Sequence, residues 1–227
     1  MNLSFSSVNT MQAYTTEKQA LIEIGRLFYQ RQWSVGTSSN YSMKLRDHPL
    51  RILITASGKD KGALTPEDFV LVDASGKSSE LQGSTHPSDV PTAVPSAETM
   101  LHVVALKKKE FGAVLHTHSV WSTLLSDKYY EQGYLELAGY EMLKGLEGIR
   151  THESSVRLQI FDNTQDIAKL ASEVEQLLGE PGEALRYGFL LRRHGLYTWG
   201  RDLFAARRHM EVLEFLLEVH GRMLSIQ

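Results

Sequence analysis

Short apolar runs alternate with amphipathic stretches along almost the whole chain, and this alternation constrains the fold most. Residues 51–57 ("RILITAS"), 69–77 ("FVLVDASGK") and 113–118 ("AVLHTH") are brief, rich in β-branched residues and bounded by turns, as strands are. Residues 167–178 and 202–220 repeat their apolar side chains at helical spacing. The pattern predicts an α/β fold with a central sheet and helices on both faces.

The organisation of the chain points to one domain. The 227 residues contain no internal repeat and no linker that would divide them. Residues 1–14 are rich in Ser, Asn and Thr, so we expect a flexible N-terminus there and a single domain over 15–227.

Composition excludes several classes of function. The absence of cysteine excludes disulfides, thiolate nucleophiles and cysteine-ligated zinc, and suits a reducing cytoplasm. A net charge of −3, without a large basic face, argues against a nucleic-acid partner. We find neither a signal peptide nor an apolar stretch long enough to cross a membrane. A cytoplasmic protein that associates with neither nucleic acid nor membrane is expected.

Two histidines, His116 and His118, stand one residue apart at the end of the strand-like run 113–118. Because alternate residues of a strand point to the same side, both imidazoles face one way and Thr117 faces the other. Two neutral imidazoles on one face can bind a common cation. The pair is equally compatible with polar residues at an ordinary strand end, because short matches of this kind are not specific.

His194 supplies a third imidazole, in the segment "RRHGLYTWG". It follows the apolar run "GFLL" and precedes Gly195, which predicts a strand that turns back as a hairpin. Three histidines with an open fourth position are typical of a catalytic zinc site. The remaining histidines are predicted to be surface or packing residues without a partner: His48, His86, His102, His152, His209 and His220.

Two acidic residues are candidates for proton transfer. Glu98 follows Ser96 in the first turn of a predicted helix, where a carboxylate can equally well complement the helix dipole. Glu141 lies in "LAGYEMLKGLEG", a stretch with several apolar residues. A partly buried carboxylate there would have a raised pKa and could act as a general acid or base. A solvated helix face is the alternative interpretation.

Polar turns predict an anion site. Residues 36–40 ("GTSSN") and 57–59 ("SGK") offer hydroxyls, backbone amides and one ammonium, and Ser96 adds a helix N-terminus. Each of these is also explained as a turn or a cap. Neither a P-loop nor a GxGxxG motif is present, so nucleotide binding is not indicated.

Together, "TSSN", "TASGK", "PSAE", "HTH" and "RRHGLYTWG" resemble, in this order, the class II aldolase/adducin-head family. The resemblance covers nearly the whole chain. It implies a three-layer α/β/α fold around a mostly antiparallel sheet. It also implies a homo-oligomer, commonly a tetramer, with active sites between subunits.

The resemblance further implies roles for individual residues. One zinc ion per subunit would be held by His116, His118 and His194, and Glu141 would be the catalytic acid/base. The acid that does proton chemistry in the aldolase branch corresponds to Glu98. The implied phosphate contacts are Thr37, Asn40, Ser57, Gly58 and Ser96. In the aldolase pattern Ser39 is often Gly and Ala97 is often Ser.

Within the family, "YEMLKG", "IFDNTQDI" and "LLRRHGLYTWG" look like the members that dehydrate a methylthio-substituted ketose phosphate in methionine salvage. They imply a metal-dependent hydro-lyase acting on a small sugar phosphate. One alternative is a sugar-phosphate aldolase or 4-epimerase of the fuculose-1-phosphate or ribulose-5-phosphate type, which Glu98 supports. Another is a non-catalytic adducin-like interaction domain, which would be expected to lose the metal histidines.

Overall fold

The computed structural model describes residues 14–78, 93–182 and 184–226. The expected flexible N-terminus, 1–14, therefore lies outside the described residues except for Tyr14. Among the described residues, no helix has the length and apolar character needed to span a bilayer.

The described ranges contain five α-helices and eight strands. In chain order they are α1 (Thr15–Gln30), β1 (Asn40–Arg46), β2 (Arg51–Thr55), β3 (Phe69–Val72), α2 (Thr99–Leu106), β4 (Ala113–Thr117), α3 (Val120–Lys128), β5 (Tyr134–Ala138), β6 (Ser155–Phe161), α4 (Ile167–Gly179), β7 (Gly188–Leu191), β8 (Gly195–Gly200) and α5 (Leu203–Ser225). Short 3₁₀ turns cover Tyr130–Gln132 and Glu141–Gly145.

All eight described strands form one sheet, in the order β3-β2-β1-β4-β8-β7-β6-β5. Strands β6 and β7 run parallel, and the other neighbouring pairs in the described sheet are antiparallel. The predicted mostly antiparallel sheet is therefore confirmed. Strands β7 and β8 form the predicted hairpin, in which Leu191 pairs with Gly195.

Helices cover both faces of the sheet, which confirms the three-layer prediction. Helices α1, α3 and α5 contribute to one apolar cluster, and α2 and α4 contribute to the other. Strand β4 lies between them: Ala113 and Leu115 belong to the first cluster and Val114 to the second. Because β4 is buried on both faces, its apolar run is continuous rather than alternating.

Candidate metal centre and active site

The end of β4 presents different side chains to the two faces of the sheet. Thr117 faces helix α5, where its hydroxyl donates to Glu214 Oε1 at 2.6 Å. His116 faces the opposite layer and stacks on Tyr197 of β8, with ring centroids 3.9 Å apart. Pairing across the sheet aligns Asn40, His116 and Tyr197 in one row. The strand therefore fixes the imidazole within a rigid, buried environment.

His116, His118 and His194 converge on one point. Their Nε2 atoms are 2.8 Å apart between His116 and His118, 3.1 Å between His118 and His194, and 3.3 Å between His116 and His194. These three are identified as a group that could hold a metal ion. The hairpin brings His194 to β4 because Gly195 has no side chain: a Cβ there would lie 1.9 Å from Thr117 O.

The other ring nitrogens identify the tautomers. His116 Nδ1 lies 3.0 Å from the carbonyl oxygen of Leu196, and His194 Nδ1 lies 3.3 Å from Asn163 Oδ1. Both partners are acceptors, so each Nδ1 carries the proton and each Nε2 keeps its lone pair. Burial lowers the pKa of His116 well below its ordinary value and that of His118 to about 3. These imidazoles are therefore neutral at physiological pH.

This arrangement fits a bound divalent metal ion. In a tetrahedral site with metal–nitrogen bonds of about 2.1 Å, the ligand nitrogens lie roughly 3.4 Å apart, close to the observed spacing. Three lone pairs that face one another at this distance are repulsive unless a cation lies between them. Neutral imidazoles leave the charge of such an ion undiminished, and this donor set suits zinc as well as cobalt, nickel or iron.

Glu98 lies beside the three histidines. It is the residue just before α2, not a residue of the first turn as predicted, and its side chain makes no capping hydrogen bond. Its Oε1 is 3.2 Å from His194 Nε2 and its Oε2 is 3.8 Å from His116 Nε2. Only 16% of the side chain is exposed. The carboxylate therefore faces the three histidines.

Glu141 lies on the other side of the sheet. It begins the 3₁₀ turn Glu141–Gly145, which packs against α5, in the layer that Thr117 faces. Its side chain is 69% exposed, pairs with Lys144 and lies 3.7 Å from His152 Nδ1. The hydrogen bond from Lys144 lowers the pKa of the Glu141 carboxyl. Of the two interpretations that the sequence left open, the partly buried carboxylate with a raised pKa is wrong; the residue is solvated, on a 3₁₀ turn rather than on a helix face.

Comparison with known proteins identifies the family. The model of the class II aldolase and adducin N-terminal domain matches residues 19–220. The chain belongs to this family. The match takes in β4, the β7–β8 hairpin and both carboxylates, so the histidine centre is part of the family domain.

Sequence relatives within the class II aldolase family cover most of the chain. A methylthioribulose-1-phosphate dehydratase from Pseudomonas fluorescens is 44% identical over 92% of this chain and 93% of the relative. The protein of the same name from Sorangium cellulosum is 43% identical over 95% of this chain and 93% of the relative.

Solved structures extend the likeness of the fold. An L-fuculose 1-phosphate aldolase superposes with a TM-score of 0.72 at 19% identity, covering 96% of this chain and 91% of that one. The L-fuculose-1-phosphate aldolase from Thermus thermophilus gives a TM-score of 0.66 at 21% identity, with 92% and 95% covered. At these identities the superpositions establish the class II aldolase fold alone.

The predicted phosphate residues come from neighbouring loops and, for Asn40, from the start of β1. Asn40 Nδ2 donates to Ser96 Oγ at 3.3 Å, and the segment containing Ser57 and Gly58 pairs with that before Ser96 through an Ala56–Pro95 bridge. Gly58 has φ +70°, with open space where a Cβ would be. Ser39 has φ 72°, a left-handed conformation that glycine adopts more readily, in agreement with the glycine that the family resemblance implies for this position.

Lys61 joins these loops and was missed by the sequence analysis. Its ammonium donates to the carbonyl oxygen of Lys59 at 2.6 Å and to that of Thr37 at 3.4 Å, and only 1% of the residue is exposed. Burial lowers its pKa to about 8, against the opposing effect of Asp60 and Asp68. In "SGKDKG" it resembles an ordinary surface lysine, so no local signal distinguishes it.

The expectation that the other histidines lack partners is wrong for His102, His209 and His220, each of which has a hydrogen-bond partner. His102 is buried and contacts Ser42 and Asn40. Tyr197 is a further buried polar residue, and its phenol interacts with the Glu98 carboxylate. Burial and then the charge of Glu98 raise the pKa of the Tyr197 phenol well above its usual range. The local sequence of neither His102 nor Tyr197 predicts these contacts.

Proposed function

We propose that this chain dehydrates 5-methylthioribulose 1-phosphate to 2,3-diketo-5-methylthiopentyl 1-phosphate, a reaction of methionine salvage. One observation carries the proposal: relatives named for this dehydratase are 43–44% identical over more than nine tenths of the chain. The convergent histidines and the adjacent Glu98 supply a suitable chemical centre.

We assign one zinc ion per subunit to His116, His118 and His194. When bound, a divalent ion there supplies Lewis-acid polarisation of a substrate carbonyl. The buried rings hold their Nε2 atoms in place through Leu196 and Asn163, so little reorganisation is needed on binding. Retention of all three histidines argues against a non-catalytic adducin-like module.

The dehydration requires one proton to leave C3 and one to reach the departing C4 hydroxyl. A carboxylate takes the C3 proton, the C4–oxygen bond breaks, and the hydroxyl leaves as water after protonation. The resulting enol takes a proton at C4 and becomes the 2,3-diketone. We assign this acid/base role to Glu141 and place Glu98 beside the histidines as the second carboxylate of the site.

The separation of Glu141 from the histidines supports an active site shared between subunits. Glu141 sits in an open, largely apolar cavity of about 410 Å³ with Tyr140, Met142, Phe215 and Val219. Exposed Met142 and Phe215 are the kind of side chains that a subunit interface covers. We therefore propose a homo-oligomer, a tetramer by family resemblance, in which Glu141 of one subunit serves the histidines of another.

We assign the phosphate of the substrate to Thr37, Asn40, Ser57, Gly58 and Ser96, with the Asn40 side chain acting through the Ser96 hydroxyl to which it donates. The left-handed turn at Gly58 and the buried ammonium of Lys61 give these loops amide groups and positive charge. The open space above Gly58 leaves room for the anion to reach the backbone.

The direct test is to incubate the purified, zinc-loaded protein with 5-methylthioribulose 1-phosphate. A 2,3-diketone and one equivalent of water per turnover are expected. Cleavage into a three-carbon ketose phosphate and an aldehyde would instead establish an aldolase, which the position of Glu98 favours as the second candidate. A change at C4 without loss of water would establish an epimerase.

The shared site is tested by subunit complementation. His118→Ala and Glu141→Gln proteins are each expected to be inactive alone. After unfolding and refolding of an equal mixture, random assembly gives about a quarter of the sites both wild-type residues. Activity near that fraction supports the shared site, and an inactive mixture containing mixed oligomers contradicts it.

A further inference from the structure

The side chain of Asn40 is buried between Glu98 and His102. Its Nδ2 donates to Glu98 Oε2 at 2.9 Å and to Ser96 Oγ at 3.3 Å, and its Oδ1 faces His102 Nε2. Asn40 is 4% exposed and His102 is fully buried. Strand β1 and the first turns of α2 are therefore joined by a polar relay, Ser42–His102–Asn40–Glu98, that ends beside the three histidines.

Each group in this relay has one consistent role as hydrogen-bond donor or acceptor. An ionised carboxylate can only accept, so Asn40 must turn its NH₂ toward Glu98. The amide oxygen then faces His102, which must donate from Nε2. His102 Nδ1 is left as an acceptor for the Ser42 hydroxyl at 2.7 Å. Burial lowers the pKa of His102 to about 3, so the ring is neutral, as this assignment requires.

His102 and Glu98 together restrict the orientation of the amide. An asparagine side chain turned by 180° occupies almost the same volume, but it would then place its oxygen against the Glu98 carboxylate and its NH₂ against the imidazole proton. With the donor of His102 in place, that orientation has two repulsive contacts. A buried amide with only one partner would lack this restriction.

The consequence for Glu98 is that one oxygen is anchored and the other is directed. Oε2 is held by Asn40, whereas Oε1 points to His194 Nε2 at 3.2 Å. Without Asn40, rotation about the terminal torsion of Glu98 would be broad. The carboxylate would then sample positions away from the histidines.

We propose that Asn40 and His102 are positioning residues that hold the Glu98 carboxylate toward the histidine centre. The inference rests on the proposed function, since it assigns Glu98 a part in the same site. It adds that the relay, and not the helix position of Glu98, sets the geometry of the carboxylate.

The test is a double-mutant cycle between His102→Leu and Glu98→Gln, with kcat, KM and zinc affinity measured for all four proteins. His102→Leu should lower kcat by about 10–100-fold and zinc affinity by roughly tenfold, with KM nearly unchanged. In the Glu98→Gln background the same change should cost less than about threefold, because its target is already lost. His102→Gln, which can donate to Asn40, should recover most of the loss.

His209→Leu is the matched control. His209 is also a buried histidine, bonded to the carbonyl oxygen of Trp199 at 2.8 Å and to the backbone N–H of Glu147 at 3.2 Å, but its contacts are remote from Glu98. Its effects on kcat and zinc affinity should be the same in both backgrounds.

Equal losses for His102→Leu with and without Glu98→Gln would overturn the relay and leave a purely structural histidine. No loss at all would overturn it too. If the wild-type protein does not dehydrate the substrate, the proposed function fails, but the zinc-affinity cycle, measured by chelator competition, still decides the relay. Additive zinc affinities would then reject it.

Discussion

The two carboxylates of the proposed site lie on opposite sides of one sheet. Glu98 is largely buried, is held by Asn40 and faces His194. Glu141 is largely exposed, pairs with Lys144 and lies in the layer of α5. The local sequences around Glu98 and Glu141 do not distinguish the two carboxylates. Their different burial arises from the layers into which α2 and the Glu141–Gly145 turn fold.

The two carboxylates are suited to different roles in catalysis. A carboxylate held by hydrogen bonds, as Glu98 is, suits a fixed position beside a metal ion, because the side chain need not rearrange during the reaction. An exposed carboxylate is available to a second subunit. The predictions below test whether the two residues differ in this way, beginning with the centre that both would serve.

The largest effect is expected for His118→Ala. Loss of one of three imidazoles should abolish stoichiometric zinc binding and reduce activity by about 10³-fold or more, because the Lewis acid is lost. Metal analysis and the dehydration assay measure both. The exposed His152→Ala is the control and should keep its zinc. Full zinc occupancy in His118→Ala would refute the ligand assignment.

Substitution of the two carboxylates should separate their roles. Glu141→Gln should keep normal zinc affinity and lose about 10²–10⁴-fold in activity, as expected for a general acid or base. Glu98→Gln should lose activity and also weaken zinc binding by about 10–100-fold, because its oxygens adjoin two ligands. Titration with a chelating indicator distinguishes them; identical zinc affinities in the two variants would remove the distinction.

Gly195→Ala should disrupt the approach of the hairpin to β4. Its Cβ would meet Thr117 O at 1.9 Å and His116 Cε1 at 3.1 Å, so backbone must move. We expect a loss of about 3 kcal/mol or more in the free energy of unfolding, together with weaker zinc binding. Gly179→Ala, with open space at its Cβ, is the control and should change stability by less than about 1 kcal/mol.

The buried carboxyl of Glu214, which lies on the face of β4 opposite His116, should make the stability of the protein depend on pH. Burial raises the pKa of this carboxyl to about 7, with a further contribution from Glu218, against hydrogen bonds from Thr117 and Ser119. Between its ordinary pKa, about 4.5, and 7 the folded state therefore binds more protons than the unfolded state. Stability contributed by the neutral acid is complete below about pH 4.5 and is lost as the pH rises through 7.

Glu214→Gln mimics the neutral acid and should remove this dependence. Relative to wild type, the metal-free variant should gain roughly 2–3 kcal/mol in the free energy of unfolding between pH 5 and pH 8. Urea unfolding at both pH values in the presence of a chelator measures the gain. A difference between the proteins that stays constant with pH would show that Glu214 does not titrate in this range.

Several features of this protein were predictable from sequence because they depend on local patterns. The period of the apolar residues located β2, β3, β4, α4 and α5 but not α3 or β5, and alternation along β4 placed His116 on one face and Thr117 on the other. The predicted hairpin at Gly195 is present, and His194 lies next to the other two histidines as expected. The strand and hairpin signals lie within a few residues of chain, whereas the ligand set joins residues up to 78 positions apart and was implied by the family resemblance.

Other features were decided by contacts between segments distant in sequence. Lys61 became buried because two loops close over it, and His102 gained its partners because β1 lies beside β4 and beneath α2. Likewise, apolar neighbours in sequence made Glu141 look buried, whereas packing of its turn on the outside of α5 left it exposed. Burial and hydrogen-bond partners are properties of the assembled layers, so a side chain's local sequence determines its direction along an element but not the environment that it meets there.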